Sequence, residues 1–180
     1  VIAAESVTFV DDPTDVRAFT AGPNDGEGLA TRRNVLIDRG RLTGFVHDAY
    51  SGRRSGVAST GSAVRSSRTT PMAGCQAISL LPGERPPAEL LAEVGDGLLV
   101  ADVAGLHSGV NPVSGDFSTG ADGLWIRNGE LADPVREFTI ASTLQRMLQD
   151  VVAVGSDLTW LPMSAAGVTL VIADVSVSGV

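Results

Sequence analysis

The sequence predicts a β-rich α+β domain, on three observations. Short β-prone runs outnumber helical ones by about four to one and do not alternate with helices in a βαβ rhythm. Two pairs of apolar runs are split by tight-turn residues, Asp38-Arg39-Gly40-Arg41 and Asn128-Gly129. The second is the strongest short hairpin signal, because both turn positions need a positive φ. Finally, one segment near residues 140–150 carries an apolar face at helical spacing and suits the covering of a sheet.

Along the chain, Val7 to Val10 is β-rich and is stopped by Asp11-Asp12-Pro13. Residues Gly22 to Gly28, GPNDGEG, form a loop, and Val35-Leu36-Ile37 with Leu42 to Val46 flank the first hairpin turn. Ser51 to Thr70 is rich in Ser, Gly, Thr and Arg without periodicity, and is expected to be a long loop. A short helix is expected at about 87–94, with prolines and an acid at its start and Gly95 just past its end. Leu98 to Val103 reads as a strand. In the helix expected at about 140–150, Thr139 is the capping candidate and Ile140, Leu144, Met147, Leu148 and Val151 share one face. Val151 to Val154 and Val168 to Val177 complete the strands. No internal repeat and no linker divides the chain.

The 180 residues suffice for one sizeable domain, and with 43% apolar and 19% charged residues they can fill a core. Only 4% are aromatic, so that core must be built mainly from Val, Leu, Ile and Ala. The basic residues are all arginine and the formal net charge is −8. An acidic chain without an aromatic-studded basic face is not expected to bind nucleic acid specifically. A single cysteine, Cys75, excludes an intrachain disulfide and a multi-cysteine zinc site, and reads as a near-core residue. No apolar run reaches the roughly 18 residues of a membrane span and no signal-peptide pattern opens the chain, so a cytoplasmic location is expected. The chain opens directly on a strand-like run without Met, as a piece of a longer protein would.

Gly105 to Ile126, GLHSGVNPVSGDFSTGADGLWI, is the most unusual stretch, with five glycines in 22 residues. Such density implies backbone conformations closed to residues with a Cβ, or a close approach to something. Loops of this kind on a rigid hairpin are where functional side chains sit. No catalytic constellation accompanies it. His47 and His107 lie sixty residues apart with no second histidine at helical spacing, and there is no HExxH or HExxxH. GDFSTG and GVASTG each carry one residue too many for a nucleophile elbow. Phosphate-binding glycine motifs are missing. Asn24 to Gly28 and the Asp116/Asp122 region lack calcium-loop spacing and read as turn chemistry.

The same segments, in order, resemble the C-terminal part of the TldD/PmbA family, once described as modulators of DNA gyrase and now regarded as metallopeptidase-related. The resemblance runs through VDDPTD (Val10 to Asp15), NDGEG (Asn24 to Gly28), TRRNVLIDRGRLTGFVHDAYSGRRSG (Thr31 to Gly56) and STGSAVR (Ser59 to Arg65). It continues through LLPGERPPAELLAEVGDGLLV (Leu80 to Val100), the long run from Gly105 to Leu144, and AVGSDLTW (Ala153 to Trp160). Gly26 and Ser62 stand where the family has an acid and an asparagine. The zinc-binding members' HExxxH helix and C-terminal cysteine have no counterpart here, a pattern similar to the PmbA (TldE) branch.

The resemblance implies mixed or antiparallel sheets in a barrel- or sandwich-like domain over residues 1–180, part of a longer protein. It implies a non-catalytic scaffold and peptide-binding part of a metallopeptidase assembly that degrades or trims unfolded peptides. Zinc is then expected in a TldD-type partner and no cofactor in this chain. The alternative is a homodimeric interaction module without proteolytic activity. On either reading the expected partner is a TldD-type subunit or a second copy. An extended peptide is the expected substrate, and His107, Asn111, Asp116 and Ser118 are the side chains expected to meet it.

Overall fold

The computed structural model describes residues 1–179. In chain order the elements are β1 (Phe9–Asp11), β2 (Asn34–Asp38), β3 (Arg41–Leu42), α1 (Ala49–Ser55), β4 (Ala63–Val64), β5 (Met72–Ala73) and β6 (Ile78–Leu80). There follow α2 (Pro87–Val94), β7 (Gly97–Ala104), α3 (Leu106–Gly109), β8 (Asp116–Arg127), β9 (Glu130–Thr143) and α4 (Leu144–Gln149). The chain ends through β10 (Val151–Val154), β11 (Thr159–Trp160), β12 (Ala165–Gly167), β13 (Leu170–Ile172) and β14 (Ser176–Ser178). The β-rich α+β expectation holds, with mixed and antiparallel sheets. Each sheet is open, and none closes into a barrel among the described residues.

The chain forms two compact units, the first built from Val1, Val7–Pro82 and Leu158–Val168. Its six-stranded sheet has the order β11-β12-β6-β1-β2-β3, antiparallel except for β12 beside β6. Val7, Val10, Ile37 and Leu80 are its buried apolar residues around the central strands. The β2–β3 turn is the hairpin read from the sequence: Arg39 and Gly40 have φ of 45° and 75°, as a type I′ turn requires. Two buried aspartates organise the loops. Asp11 Oδ1 accepts the N–H groups of Gln76 and Ala77 at 2.8 and 2.7 Å. Asp25 accepts from Glu27 and Leu29 at 2.9 Å and from Ala63 at 3.1 Å. The NDGEG loop is thus a clasp whose central carboxylate is occupied by backbone donors.

Ser51 to Thr70 is not one long loop. Asp48 and Ser51 form a reciprocal capping box that starts α1, and Gly56 at φ 70° ends it. Capping supplies what the Gly- and Ser-containing sequence lacks in helix propensity. Ala63 and Val64 then pair with β5.

The second unit comprises Ile2–Ser6, Gly83–Asp157 and Thr169–Val180, of which the structure describes the chain to Gly179. Its main sheet runs β14-β9-β8-β7, antiparallel throughout, with β10–β13 as a separate pair. Asn128 and Gly129, at φ 51° and 77°, close the long β8–β9 hairpin. Along β8, Phe117, Thr119, Ala121 and Gly123 are buried while Asp116, Ser118, Gly120 and Asp122 are exposed. That period of two is what a sheet with one wet face demands. Phe117, Ala121, Phe138 and Ile140 form the core on the buried side, joined by Leu98, Val103, Val110, Val135, Met147 and Val175.

The helix at about 140–150 is present but shorter, Leu144–Gln149, with Thr143 as the cap in place of Thr139. Thr139 and Ile140 belong to β9, where they pair with Gly120 and Thr119. The apolar spacing that suggested a helix start at Ile140 is met instead by burial of Phe138 and Ile140 against β8, because the hairpin continues that far. The Val168–Val177 strand likewise divides into β13 and β14 at Asp174, whose φ is 55°.

Candidate functional site

The Gly105–Ser118 loop joins β7 to β8 in the second unit. Gly105 takes a left-handed φ of 76° and turns the chain into α3, a single helical turn. Gly109 ends that turn against β8: a Cβ there would stand 2.2 Å from the Ser118 carbonyl oxygen and 2.9 Å from Thr119 Cγ2. Val110 then bridges to Phe117. This close approach is the physical reason for a glycine-dense sequence here.

Asn111 shapes the next turn. Its Oδ1 accepts the N–H groups of Val113 and Ser114 at 2.9 and 3.2 Å, and its carbonyl accepts Gly115 N–H at 2.8 Å. Its own N–H donates to the Asp116 carbonyl at 2.9 Å. Pro112 adds a fixed φ inside the turn. Gly115, at φ 83°, is buried beneath the Gln145 amide, which donates to the Ser114 carbonyl at 3.2 Å. Leu144 N–H donates to the Gly115 carbonyl at 2.8 Å, tying the loop to the start of α4. Ser114 Oγ donates to Asp116 Oδ2 at 2.6 Å.

The four residues expected at the site all lie in this loop and the strand it enters, with distinct parts to play. His107 is exposed on α3. Asp116 and Ser118 lie two apart on the exposed face of β8, opposite Thr143 and Ala141 of β9. The Asn111 side chain is used within the turn, so it contributes loop shape. Sequence reading missed Ser114 and Gln145. The Gln145 contact depends on a fold-back from α4, 31 residues on, which no local pattern signals, whereas Ser114 Oγ acts on Asp116 two residues away.

The other face of this arrangement is its charge. Asp102 of β7 stands directly opposite Asp122 of β8, both exposed. Asp122 Oδ1 accepts the N–H of Glu137 at 2.8 Å, and Glu137 has a left-handed φ of 58°. Register shifts lie between Val100 and Asp102 in β7–β8 and between Ala121 and Gly123 in β8–β9. Bulges of this kind re-aim side chains.

Among the described residues the metal donors are not gathered as a zinc site requires. His47 precedes α1 in the first unit and His107 lies in the second. The half-buried Cys75 thiol is pushed up to about 11, first by burial and then by the charge of Asp11. Among the described residues, no three His, Cys, Asp or Glu side chains converge as a metal site. No helix among them is long and apolar enough to cross a membrane.

A glycine-shaped loop on an open antiparallel sheet, in this order of elements, matches one known class of domain. Residues 1–179 match the PmbA/TldA metallopeptidase C-terminal domain. The chain belongs to the PmbA/TldD family. It is 38% identical over 148 residues to the metalloprotease PmbA homolog of Haemophilus influenzae, covering 81% of this chain and 30% of that protein. It is 36% identical over 159 residues to metalloprotease PmbA of Escherichia coli O157:H7, covering 87% and 32%. The crystal structure of TldE from Thermococcus kodakarensis superposes with a TM-score of 0.91 at 31% identity, covering 99% of this chain and 41% of that one. The chain thus spans about a third of the length of the curated relatives it matches.

Proposed function

We propose that this chain is the non-catalytic, peptide-binding part of a TldD/PmbA-type metallopeptidase assembly, in which a TldD-type subunit holds the zinc. The observation that carries this reading is the pre-shaped Gly105–Ser118 loop running into β8. It sets Asp116 and Ser118 on an exposed strand face, in a fold whose relatives are named as metalloproteases. Hydrogen bonds from Asn111, Ser114 and Gln145 order the loop in advance, so a bound peptide need not bear the entropy of organising it. At Asp116 and Ser118 the backbone of β8 is paired with β9, so these positions offer a peptide their side chains from the exposed face. A cytoplasmic location and the trimming of unfolded peptides belong to the same proposal.

The test is to assay peptide hydrolysis by this chain, by a TldD-type subunit carrying an HExxxH helix, and by the two mixed, with zinc measured in each sample. Activity that rises on mixing, with zinc confined to the TldD-type subunit, is the expected result. Stoichiometric zinc in this chain alone, or a mixture no more active than the TldD-type subunit by itself, overturns the proposal. A homodimer that ignores the TldD-type subunit in sedimentation would favour the interaction-module alternative.

A further inference from the structure

The first unit gathers positive charge within an acidic chain. The chain carries −8 overall, yet its residues 23–70 hold eight arginines against four acids, a formal charge of +4. Six of those arginines, Arg32, Arg33, Arg53, Arg54, Arg65 and Arg68, are exposed and extend from segments tied to the NDGEG clasp. Ala49 N–H, at the start of α1, donates to Glu27 Oε2 at 2.8 Å. Gly26 N–H donates to the Ala63 carbonyl at 2.7 Å, and a Cβ on Gly26 would lie 3.3 Å from Arg65 Cγ. Asn34, just past Arg32 and Arg33, donates through Nδ2 to the Thr60 carbonyl at 3.3 Å and to Ser62 Oγ at 3.1 Å.

The acids of the clasp are committed to its construction. Asp25 accepts three backbone N–H groups, Glu27 accepts the one from Ala49, and Asp48 caps α1 through Ser51. Their charges remain, but six arginines still outnumber these three acids. Arg33 lies 3.7 Å from Asp12, and Arg54 donates to Tyr50 Oη at 3.3 Å with its guanidinium 5.9 Å from the ring centroid. Among the described residues, the guanidinium groups of Arg32, Arg53, Arg65 and Arg68 make no hydrogen bond or ion pair. Two aromatic residues flank the α1 cap on the outside: Phe45 is 68% exposed and Tyr50 60%, in a chain with only 4% aromatic residues. Exposed rings beside arginines have the composition of a binding face.

We propose that this arginine-rich face of the first unit docks an acidic polypeptide segment, whose carboxylates pair with the free guanidinium forks. Arginine suits that task, since its planar fork matches a carboxylate with two parallel hydrogen bonds. A short acidic segment senses the local positive charge, because charges more than about 8–10 Å away are screened at physiological salt. A long polyanion such as nucleic acid extends past that range and meets a chain carrying −8, so the charge balance favours a polypeptide. The face lies wholly in the first unit, and the proposal stands whether or not the Gly105–Ser118 loop binds peptide.

Fluorescence anisotropy with labelled decapeptides tests it, using alternating Glu-Ala, Gln-Ala and Lys-Ala sequences. The Glu-Ala peptide is expected to bind at least about tenfold more tightly than Lys-Ala in low salt, with the gap closing near about 0.5 M salt and Gln-Ala between them. Arg53→Gln with Arg65→Gln is expected to weaken Glu-Ala binding about fivefold, and Arg32→Gln with Arg68→Gln, on other segments, to do the same. Arg127→Gln with Arg136→Gln makes the same change in net charge in the second unit and is expected to alter binding less than about twofold. Equal binding of Glu-Ala and Lys-Ala, indifference to both first-unit pairs, or an equal loss in the second-unit pair each overturns the proposal. Tighter binding of a single DNA strand of about 30 nucleotides would make the face a nucleic-acid surface and overturn it. Salt-sensitive self-association in sedimentation, abolished by the first-unit substitutions in a protein that binds no peptide, would seat a second copy there and overturn it too. None of these outcomes decides the hydrolysis seen on mixing with a TldD-type subunit, so the two readings fail separately.

Discussion

Gly109→Ala is the sharpest test of the loop's construction. The added Cβ would lie 2.2 Å from the Ser118 carbonyl oxygen and 3.1 Å from its carbon. Relief needs a separation about 1 Å larger, close to a normal carbon–oxygen contact. Ser118 cannot supply it, because β8 is a central strand and Ser118 is paired with Ala141 of β9. The α3 turn must therefore lift, which strips the Val110–Phe117 bridge and part of Val110's packing on the core. Overpacking of this size costs about 1–3 kcal/mol. Gly105→Ala is the matched control: its φ of 76° is strained for alanine, but the nearest atom to its Cβ is Ser108 Oγ at 3.7 Å. It should cost about 1–2 kcal/mol from backbone strain alone and leave the α3–β8 contact in place. Urea unfolding followed by tryptophan fluorescence gives the energies, and amide exchange at Asn111, whose N–H donates to the Asp116 carbonyl at 2.9 Å beside the Val110–Phe117 bridge, separates the two causes. Gly109→Ala should speed exchange at Asn111, and Gly105→Ala should leave it protected. A Gly109→Ala protein within about 0.5 kcal/mol of the parent, with Asn111 exchange unchanged, would refute the close-packed reading of this loop.

Two further outcomes follow from single buried groups. Thr119 is buried against the second unit's core and its Oγ1 has no hydrogen-bond partner among the described residues. Thr119→Val is therefore expected to be neutral or to stabilise by up to about 1 kcal/mol, measured by the same unfolding curves; a loss above about 1 kcal/mol would mean the hydroxyl has an acceptor. Cys75, with its thiol pushed up to about 11, should react with iodoacetamide at pH 8 about a hundredfold more slowly than a free thiol, speeding up as pH rises toward that value. Asp11→Asn removes the smaller of the two causes and should accelerate the reaction modestly; alkylation at the rate of a free thiol would contradict the burial.

Local chemistry was legible wherever it was sufficient by itself. The Asn128-Gly129 hairpin was readable because both residues tolerate positive φ, and the β2–β3 turn was readable from Gly40 between two apolar runs, with Arg39 held at φ 45° by closure of the turn. The α2 helix was readable from Pro86 and Pro87 at its start and Gly95 at its end. The α1 helix was missed because Ser51, Gly52 and Ser55 dilute the helix preference of its Ala and Arg residues, and its capping box involves only Asp48 and Ser51. Ile140 was misassigned because its spacing to Leu144 and Met147 suits a helix, while the partner that claims it, Thr119, is 21 residues away.

The sequence by itself determined the β-rich class, the two hairpins, the family, and the glycine-dense loop as the place to look. Only the tertiary structure decided what that loop is made of and what lies beside it. Asn111 proved to be a turn former, Gly109 a contact and Gln145 a clamp, because each role depends on a surface brought in from elsewhere in the chain. The same holds for Asp102 and Asp122. Twenty residues apart in sequence they are two ordinary surface acids, and the β7–β8 register sets them directly opposite each other.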